Sequence, residues 1–172
     1  MTVNPGASSN MRSPLASAVL LGDDDTIIDG IGRVTTEWSS HIRDIVAILR
    51  ETQSSRVRDA AALALVDMNA KAACCSIVDM LRRPEIARQV GTLLYALDEL
   101  GASIPLGLAV DLIEAGSYEA RAETILFLQD GRIDAGDEVD RHNATVKLSE
   151  LAKSRDPELA EAAAIGLEIL GR

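Results

Sequence analysis

Two segments near the start of the chain contain residue types that could do chemistry, but each lacks part of the necessary pattern. "DGIGRVT", from Asp29 to Thr35, has two of the three glycines of a dinucleotide-binding loop. Thr35 stands where the third glycine would be, and no strand–helix–strand unit surrounds it. "DDDTIID", from Asp23, lacks the glycine and the terminal glutamate of a calcium loop. We interpret this second segment as a solvated turn or a helix cap.

Residues that could bind a metal or act as a nucleophile are also isolated from suitable partners. His41 and His142 are far apart in the chain and have no other Cys or His nearby, which argues against a zinc site. Cys74 and Cys75 are adjacent, so on a helix they point about 100° apart and cannot readily bridge or share a metal. We interpret them as small buried hydrophobes in a reducing compartment. The sequence therefore predicts a protein that is not an enzyme and holds no cofactor or metal.

The composition predicts a folded helical protein with a cationic partner. Hydrophobic residues make up 47% of the 172 residues and aromatic residues only 2%, so Ala, Leu, Ile and Val must fill the core. This favours closely packed helices over a sandwich or barrel. The net charge of −10 would repel nucleic acid and attract a basic partner. Residues 1–13 predict a flexible tail, and residues 14–172 a single domain.

The sequence also predicts a cytoplasmic protein without a membrane-spanning segment. The apolar stretch from Leu15 to Leu21 is too short to span a bilayer. It is a weak signal peptide, because three aspartates follow where small residues should precede the cleavage site.

Apolar residues recur at helical spacing in four consecutive pairs of segments. The first helices of the pairs are predicted at 38–52, 70–82, 105–115 and 137–153. The second helices are predicted at 56–68, 85–100, 119–130 and 157–170. Before these pairs, residues 14–36 fit either short helices or a strand, because β-branched residues and two glycines interrupt the pattern.

The second helices keep one register when they are aligned with each other. A small residue in the middle would let the next repeat approach closely, and a leucine one turn later would fill the groove. Such a repeat of helix pairs predicts an α-solenoid. The aligned positions are Val57, Ile86, Ala120 and Leu159, then Ala61, Val90, Thr124 and Ala163, and then Leu65, Leu94, Leu128 and Leu167.

The turns and second helices resemble the HEAT-repeat family in its short bacterial form. Arg58 and Arg121 match the basic position of that family's pattern, which stabilises the loop, whereas Ala87 and Ala160 depart from it. The resemblance implies an all-α superhelix of about four HEAT-like helical hairpins with an N-terminal helical cap, and with the second helix of each pair on the concave side. It also implies a role in protein binding or scaffolding. The phrases that carry the resemblance are "SSRVRDAAALAL", "RPEIARQVGTLL", "SYEARAETILFL" and "RDPELAEAAAIGL".

Negative charge is concentrated on the predicted second helices. They hold eleven acidic and four basic residues, a net charge of −7, against −2 for the first helices. Acids in a first turn complement the helix dipole and need no ligand, but Asp98, Glu99 and Asp130 lie at C-terminal turns, where the dipole disfavours them. The predicted partner-binding residues are Asp98, Glu99, Tyr118, Glu119, Glu123, Asp130, Glu158 and Glu161.

Three functions fit these features. The first is a module whose acidic concave face binds a basic protein, and a sharper version is an immunity or inhibitor protein that neutralises a cationic toxin. The second is an accessory or lyase-type HEAT-like subunit that holds a small molecule in its groove. The third is self-assembly, because Ala163, Leu167 and Leu170 would leave an apolar edge. Unless the polar helix at 137–153 caps this edge, it predicts a homodimer through the C-terminal repeat.

Overall fold

The computed structural model describes residues 22–35 and 41–171, and within that part the chain is all-α, as the sequence predicted. The predicted tail (1–13), the apolar stretch up to Leu21 and Trp38 lie outside the described residues. The helices are α1 (Asp24–Thr35), α2 (Ile42–Glu51), α3 (Ser55–Asp67), α4 (Cys74–Leu81), α5 (Gly91–Glu99), α6 (Leu106–Ala115), α7 (Tyr118–Gln129), α8 (Glu138–Leu151) and α9 (Pro157–Leu170). Two short 3₁₀ turns occur at Lys71–Ala73 and Pro84–Ile86.

Side-chain caps fix where several helices begin. The Ser54 and Ser117 hydroxyls accept hydrogen bonds from backbone N–H groups in the first turns of α3 and α7. Asp137 does the same for α8 and forms a capping box with Asp140. Asp156, which precedes a proline, caps α9. These residues satisfy N–H groups that the first turn of a helix leaves without a partner, so the helix starts follow from local sequence.

The helices α3, α5 and α7 all stop in the same way. Asn69, Gly101 and Gly131 each have a positive φ two residues after the last helical residue. In each case the next N–H donates to a carbonyl five residues earlier, as in Ala102 to Leu97 and Arg132 to Phe127. This is the Schellman arrangement, which glycine and asparagine adopt at low cost. Three successive second helices therefore share one C-terminal geometry.

Helices α3, α5, α7 and α9 form what we call the second-helix row. Each contacts the next along the row, and α1 packs against α3 at one end. Each also packs against the helix that precedes it in sequence, so that α2, α4, α6 and α8 complete four pairs. Among these preceding helices, α2 contacts α4 and α6 contacts α8.

The predicted register is largely confirmed in the core. All four residues at its middle position, Ala61, Val90, Thr124 and Ala163, are fully buried. The leucines one turn later in α3, α5 and α7 are also buried, while Leu167 in α9 is half-buried. Helix α6 lies between two apolar clusters, because one of its faces packs towards α1–α5 and another towards α7–α9.

The prediction of a continuous helix over residues 85–100 was wrong. A 3₁₀ turn occupies Pro84–Ile86, and α5 begins only at Gly91. The Gln89 N–H donates to the carbonyl of Ile86, which closes a tight turn before the helix starts. The Gln89 carbonyl accepts a hydrogen bond at 3.0 Å from the buried guanidinium of Arg58, so a tertiary contact accompanies the late start.

The sequence did not predict the short parallel bridge in the loops. Ile104–Pro105 pairs with Ile133–Asp134, with Ile104 opposite Ile133. The first segment leads into α6, and the second lies between α7 and α8. The bridge therefore joins the loops that follow α5 and α7, which are equivalent segments of consecutive pairs.

Candidate protein-binding surface

The predicted partner-binding residues lie at the two ends of α5, α7 and α9. Seven of the eight side chains are exposed, and Glu123 is half-buried. Because α5, α7 and α9 contact in sequence, these residues belong to consecutive helices of the second-helix row. At the C-terminal ends are Asp98, Glu99 and Asp130, and in the N-terminal halves are Tyr118, Glu119, Glu123, Glu158 and Glu161.

Asp98 and Asp130 are brought together by a cation that the sequence argument missed. The Arg132 guanidinium forms an ion pair with the Asp98 carboxylate and lies 3.9 Å from that of Asp130. It also donates to the Asp98 backbone carbonyl and stacks over the Phe127 ring, 4.3 Å from its centroid. Arg132 thus compensates two carboxylates at helix C-terminal ends, where the dipole alone would disfavour them.

Glu119 has a local role at the start of α7. The backbone N–H of Glu119 itself, and then the Ser117 hydroxyl, hydrogen-bond the carboxylate and lower the pKa of Glu119 below its ordinary value of 4.5. Both interactions favour the charged form. Glu119 therefore stabilises its own helix start, whatever it binds.

Four of the predicted acids have no neighbouring cation paired with them in the described part of the chain. Within residues 22–35 and 41–171, no Lys or Arg forms an ion pair with Glu99, Glu123, Glu158 or Glu161. They lie on α5, α7 and α9, and the row becomes more acidic towards α9, which has three glutamates and no basic residue.

Large apolar side chains are exposed on α3, α5 and α7. Leu63 in α3 is 41% exposed, Tyr95 in α5 46% and Leu126 in α7 49%. We call these three residues the exposed apolar row. Tyr118 at the start of α7 is more exposed still, at 66%. The sequence did not predict that Leu63 and Leu126 would be exposed.

Two buried or half-buried arginines link neighbouring pairs. Arg58, only 3% exposed, donates to the Gln89 carbonyl just before α5. Arg121 donates to the Ile113 carbonyl at 2.9 Å, and its guanidinium lies 3.7 Å from the Asp156 carboxylate that caps α9. These are the two arginines that match the basic position of the HEAT pattern.

Two polar cavities lie beside these arginines, at the start of the second helices. One of about 510 Å³ is bounded by the 84–89 turn, Arg121 and the end of α6. The other, of about 300 Å³, is bounded by Arg58, Asp59 and the starts of α5 and α7. Arg88 and Gln89 line both. Burial raises the pKa of Asp59, and the nearby Arg58 opposes this shift. Both acidic and basic groups thus line the walls, and among the residues that the structure describes no aromatic or histidine side chain lines either cavity.

Comparisons with known proteins return no match for this chain. No protein-family model, curated protein or solved structure matches it. Among the described residues, no group of three or more His, Cys, Asp or Glu is placed to hold a metal ion. In the same part of the chain, no helix combines the length and the apolar character needed to cross a bilayer.

Proposed function

We propose that the chain is a HEAT-like α-solenoid that binds a basic protein through the acidic face of its second-helix row. The solenoid is supported by recurrence. Side-chain hydrogen bonds join the first helix pair to α1, and neighbouring pairs to each other. They connect residues 29 to 34 positions apart, as in Arg50 to Asp79 and Arg132 to Asp98. Together with the shared stops of α3, α5 and α7, this spacing is what stacked helix pairs produce.

The observation that carries the binding proposal is the set of acids on α5, α7 and α9 that have no cationic partner within residues 22–35 and 41–171. These like charges lie on consecutive helices of the second-helix row, and together they make the potential around the row more negative. Such a field speeds the capture of a basic protein and disfavours acidic partners. The chain's net charge of −10 adds to the effect at long range.

A sharper form of the proposal is an immunity or inhibitor protein acting in the cytoplasm. A small acidic protein that must neutralise a cationic toxin gains from fast electrostatic association. The small-molecule alternative has less support. It predicts a groove lined by aromatic, histidine or arginine side chains, and the cavities supply only the arginines, with acidic groups beside them.

Charge neutralisation on two different surfaces tests the proposal. One triple variant, Glu99→Gln, Glu123→Gln and Glu161→Gln, alters the second-helix row. A matched control, Glu51→Gln, Glu138→Gln and Glu150→Gln, removes the same charge from exposed sites on α2 and α8. Each tagged protein is used to capture partners from a lysate of the cells in which the protein naturally occurs. The partners are identified by mass spectrometry.

We expect the wild type and the control to retain the same basic protein, and the row variant to lose it. Retention should also weaken as salt is raised, because exposed charges are screened. Equal retention by both variants, or neutral partners that salt does not release, would contradict the proposal.

Self-association through the C-terminal pair remains a prediction with a smaller surface than the sequence indicated. Ala163 is fully buried, and Leu167 and Leu170 are half-buried. An interface there would have to use the remaining exposed part of α9. Light scattering at low concentration tests it, since a strict monomer would remove the prediction.

A further inference from the structure

We propose that the partner docks through a cationic amphipathic helix whose apolar stripe covers the exposed apolar row. This inference rests on the proposed function and adds the chemistry and shape of the docking segment. Leu63, Tyr95 and Leu126 lie on three helices that contact in sequence. Leu63 and Leu126 occupy equivalent positions, each two residues before a buried leucine of the shared register.

Each residue of the exposed apolar row is followed, four positions later, by an acid. Asp67 follows Leu63, Glu99 follows Tyr95, and Asp130 follows Leu126. Residues four apart lie on the same face of a helix. All three acids are exposed. Each of α3, α5 and α7 therefore carries an exposed apolar residue with an exposed acid one turn further towards its C-terminus.

The three acids lie at positions where negative charge destabilises the unbound protein. Asp67 and Glu99 are the last residues of α3 and α5, and Asp130 directly follows α7. Negative charge at a helix C-terminus opposes the helix dipole. Arg132 relieves this cost at Asp130, but in the described part of the chain no Lys or Arg pairs with Asp67 or Glu99. A bound lysine or arginine would relieve it there.

A helix fits this surface better than an extended segment does. Packed helices lie roughly 8–10 Å apart, and residues seven positions apart on a helix are separated by roughly 10.5 Å. A crossing helix can therefore place one apolar residue on each of α3, α5 and α7. An extended segment would bring its own backbone N–H and C=O groups against helices whose backbone groups are already paired, and would leave them unsatisfied.

Two synthetic peptides of about 18 residues, long enough to cross three helices, test the inference. Both contain the same numbers of leucines and lysines. In one, the leucines recur with the helical period, and in the other they alternate with lysine. Binding is measured by fluorescence anisotropy at about 0.15 M salt, and circular dichroism follows helix formation in the peptide.

Three forms of the protein are compared. The row variant carries Leu63→Ser, Tyr95→Ser and Leu126→Ser. The matched control carries Val139→Ser and Val146→Ser, two exposed apolar residues on α8. We expect the wild type and the control to bind the helical-period peptide at least roughly tenfold more tightly than the alternating one, with a gain of peptide helicity. The row variant should lose this preference while keeping its own helical spectrum.

The other outcomes separate this inference from the charge proposal. Equal, salt-sensitive binding of both peptides by the wild type would leave the acidic surface as a partner site and overturn helical docking. Tighter binding of the alternating peptide would also overturn it, in favour of an extended segment. If neither peptide binds, both the inference and the electrostatic capture on which it rests are contradicted.

Discussion

The first turns of α3 and α7 begin alike and connect to their surroundings differently. In each, a serine hydroxyl caps the helix and an arginine follows four residues later. The N–H of Arg58 donates to the Ser54 carbonyl, and that of Arg121 donates to the Ser117 carbonyl, both at 3.0 Å. The backbone therefore places the two guanidinium groups equivalently, yet they find different acceptors.

The start of α3 is bonded both to α1 and to the turn before α5. The start of α7 is bonded to α6, in its own pair, and to the start of α9. Before Arg58, Ser54 and Arg56 bond to Asp24 and Asp25 of α1, and Arg58 itself reaches forward to Gln89. Arg121 bonds back to Ile113 in its own pair, and forward only by a longer ion pair to Asp156. The Arg58 side chain is 4% exposed and that of Arg121 15%.

The start of the next second helix therefore decides which kind of acceptor the arginine finds. Before α5, the tight turn presents a backbone carbonyl, at Gln89, to the arginine. Before α9, an Asp-Pro start presents a carboxylate instead, at Asp156. One position in the repeat can thus serve two kinds of acceptor, because a guanidinium donates in several directions.

Of the two arginines, Arg58 should contribute more to the free energy of unfolding. Arg58→Met should lower the free energy of unfolding by about 3 kcal/mol, because it removes a buried charged donor and leaves Asp59 without its cation. Urea denaturation measures the change. Arg56→Met, in the same turn, is the control, since the Arg56–Asp25 pair is exposed and its removal should not be resolved from wild type. Equal losses in both variants would show that burial does not distinguish the two arginines.

Arg121→Met should cost less, about 1.5 kcal/mol, because its carbonyl bond is lost from a partly exposed site and its ion pair is long. The same denaturation experiment measures it. A loss as large as that at Arg58 would contradict this ranking, because it would mean that the half-buried arginine stabilises the fold as much as the buried one.

Two substitutions at Asp156 distinguish its role as a helix cap from its ion pair with Arg121. Asp156→Ala should lower the free energy of unfolding by about 1 kcal/mol, because the Glu158 and Leu159 N–H groups lose their acceptor. Asp156→Asn keeps an oxygen acceptor and removes only the charge, so it should cost a few tenths of a kcal/mol. If the asparagine variant loses as much as the alanine variant, the charge facing Arg121 matters more than the cap.

The smallest change in stability is expected from the substitution of Glu119. This residue occupies the position in α7 that Arg56 occupies in α3. The pKa of Glu119 is lowered in the folded state, so its stabilising contribution is present above the ordinary value of 4.5 and is lost as the pH falls through the folded value. Thermal unfolding of wild type and Glu119→Gln should differ at about pH 7 and converge in acid, below both pKa values. A difference that stays constant over this range would contradict the role of the charged form.

The helices and their register could be predicted because periodicity is local and recurs four times. The buried positions of Ala61, Val90 and Thr124 follow from aligning the second helices with each other. The late start of α5 could not, because residues 87–90 contain no helix-breaking residue and the turn is accompanied by a distant contact from Arg58. Local propensity gives no access to such a contact.

The candidate surface was only partly predictable for a related reason. The acids could be assigned to helix ends from sequence, but Arg132 lies 34 positions from Asp98 in a loop, so their pairing depends on the stacking of two layers. Leu63 and Leu126 each lie two residues before a buried leucine, about 200° round the helix, so the helical period alone could have placed them outside the buried stripe. What the period could not give is that both side chains stay exposed after the neighbouring helices have packed.

The parallel bridge between the loops after α5 and α7 has a consequence for how the molecule opens. The Ile104 N–H donates a hydrogen bond to the Arg132 carbonyl at 3.1 Å. Neither loop can therefore separate from the other without breaking this hydrogen bond. Where neighbouring helix pairs are held together only by packing, they can open one at a time from an end. Here the second and third pairs should open together, and their slowest amide protons should exchange at one common rate.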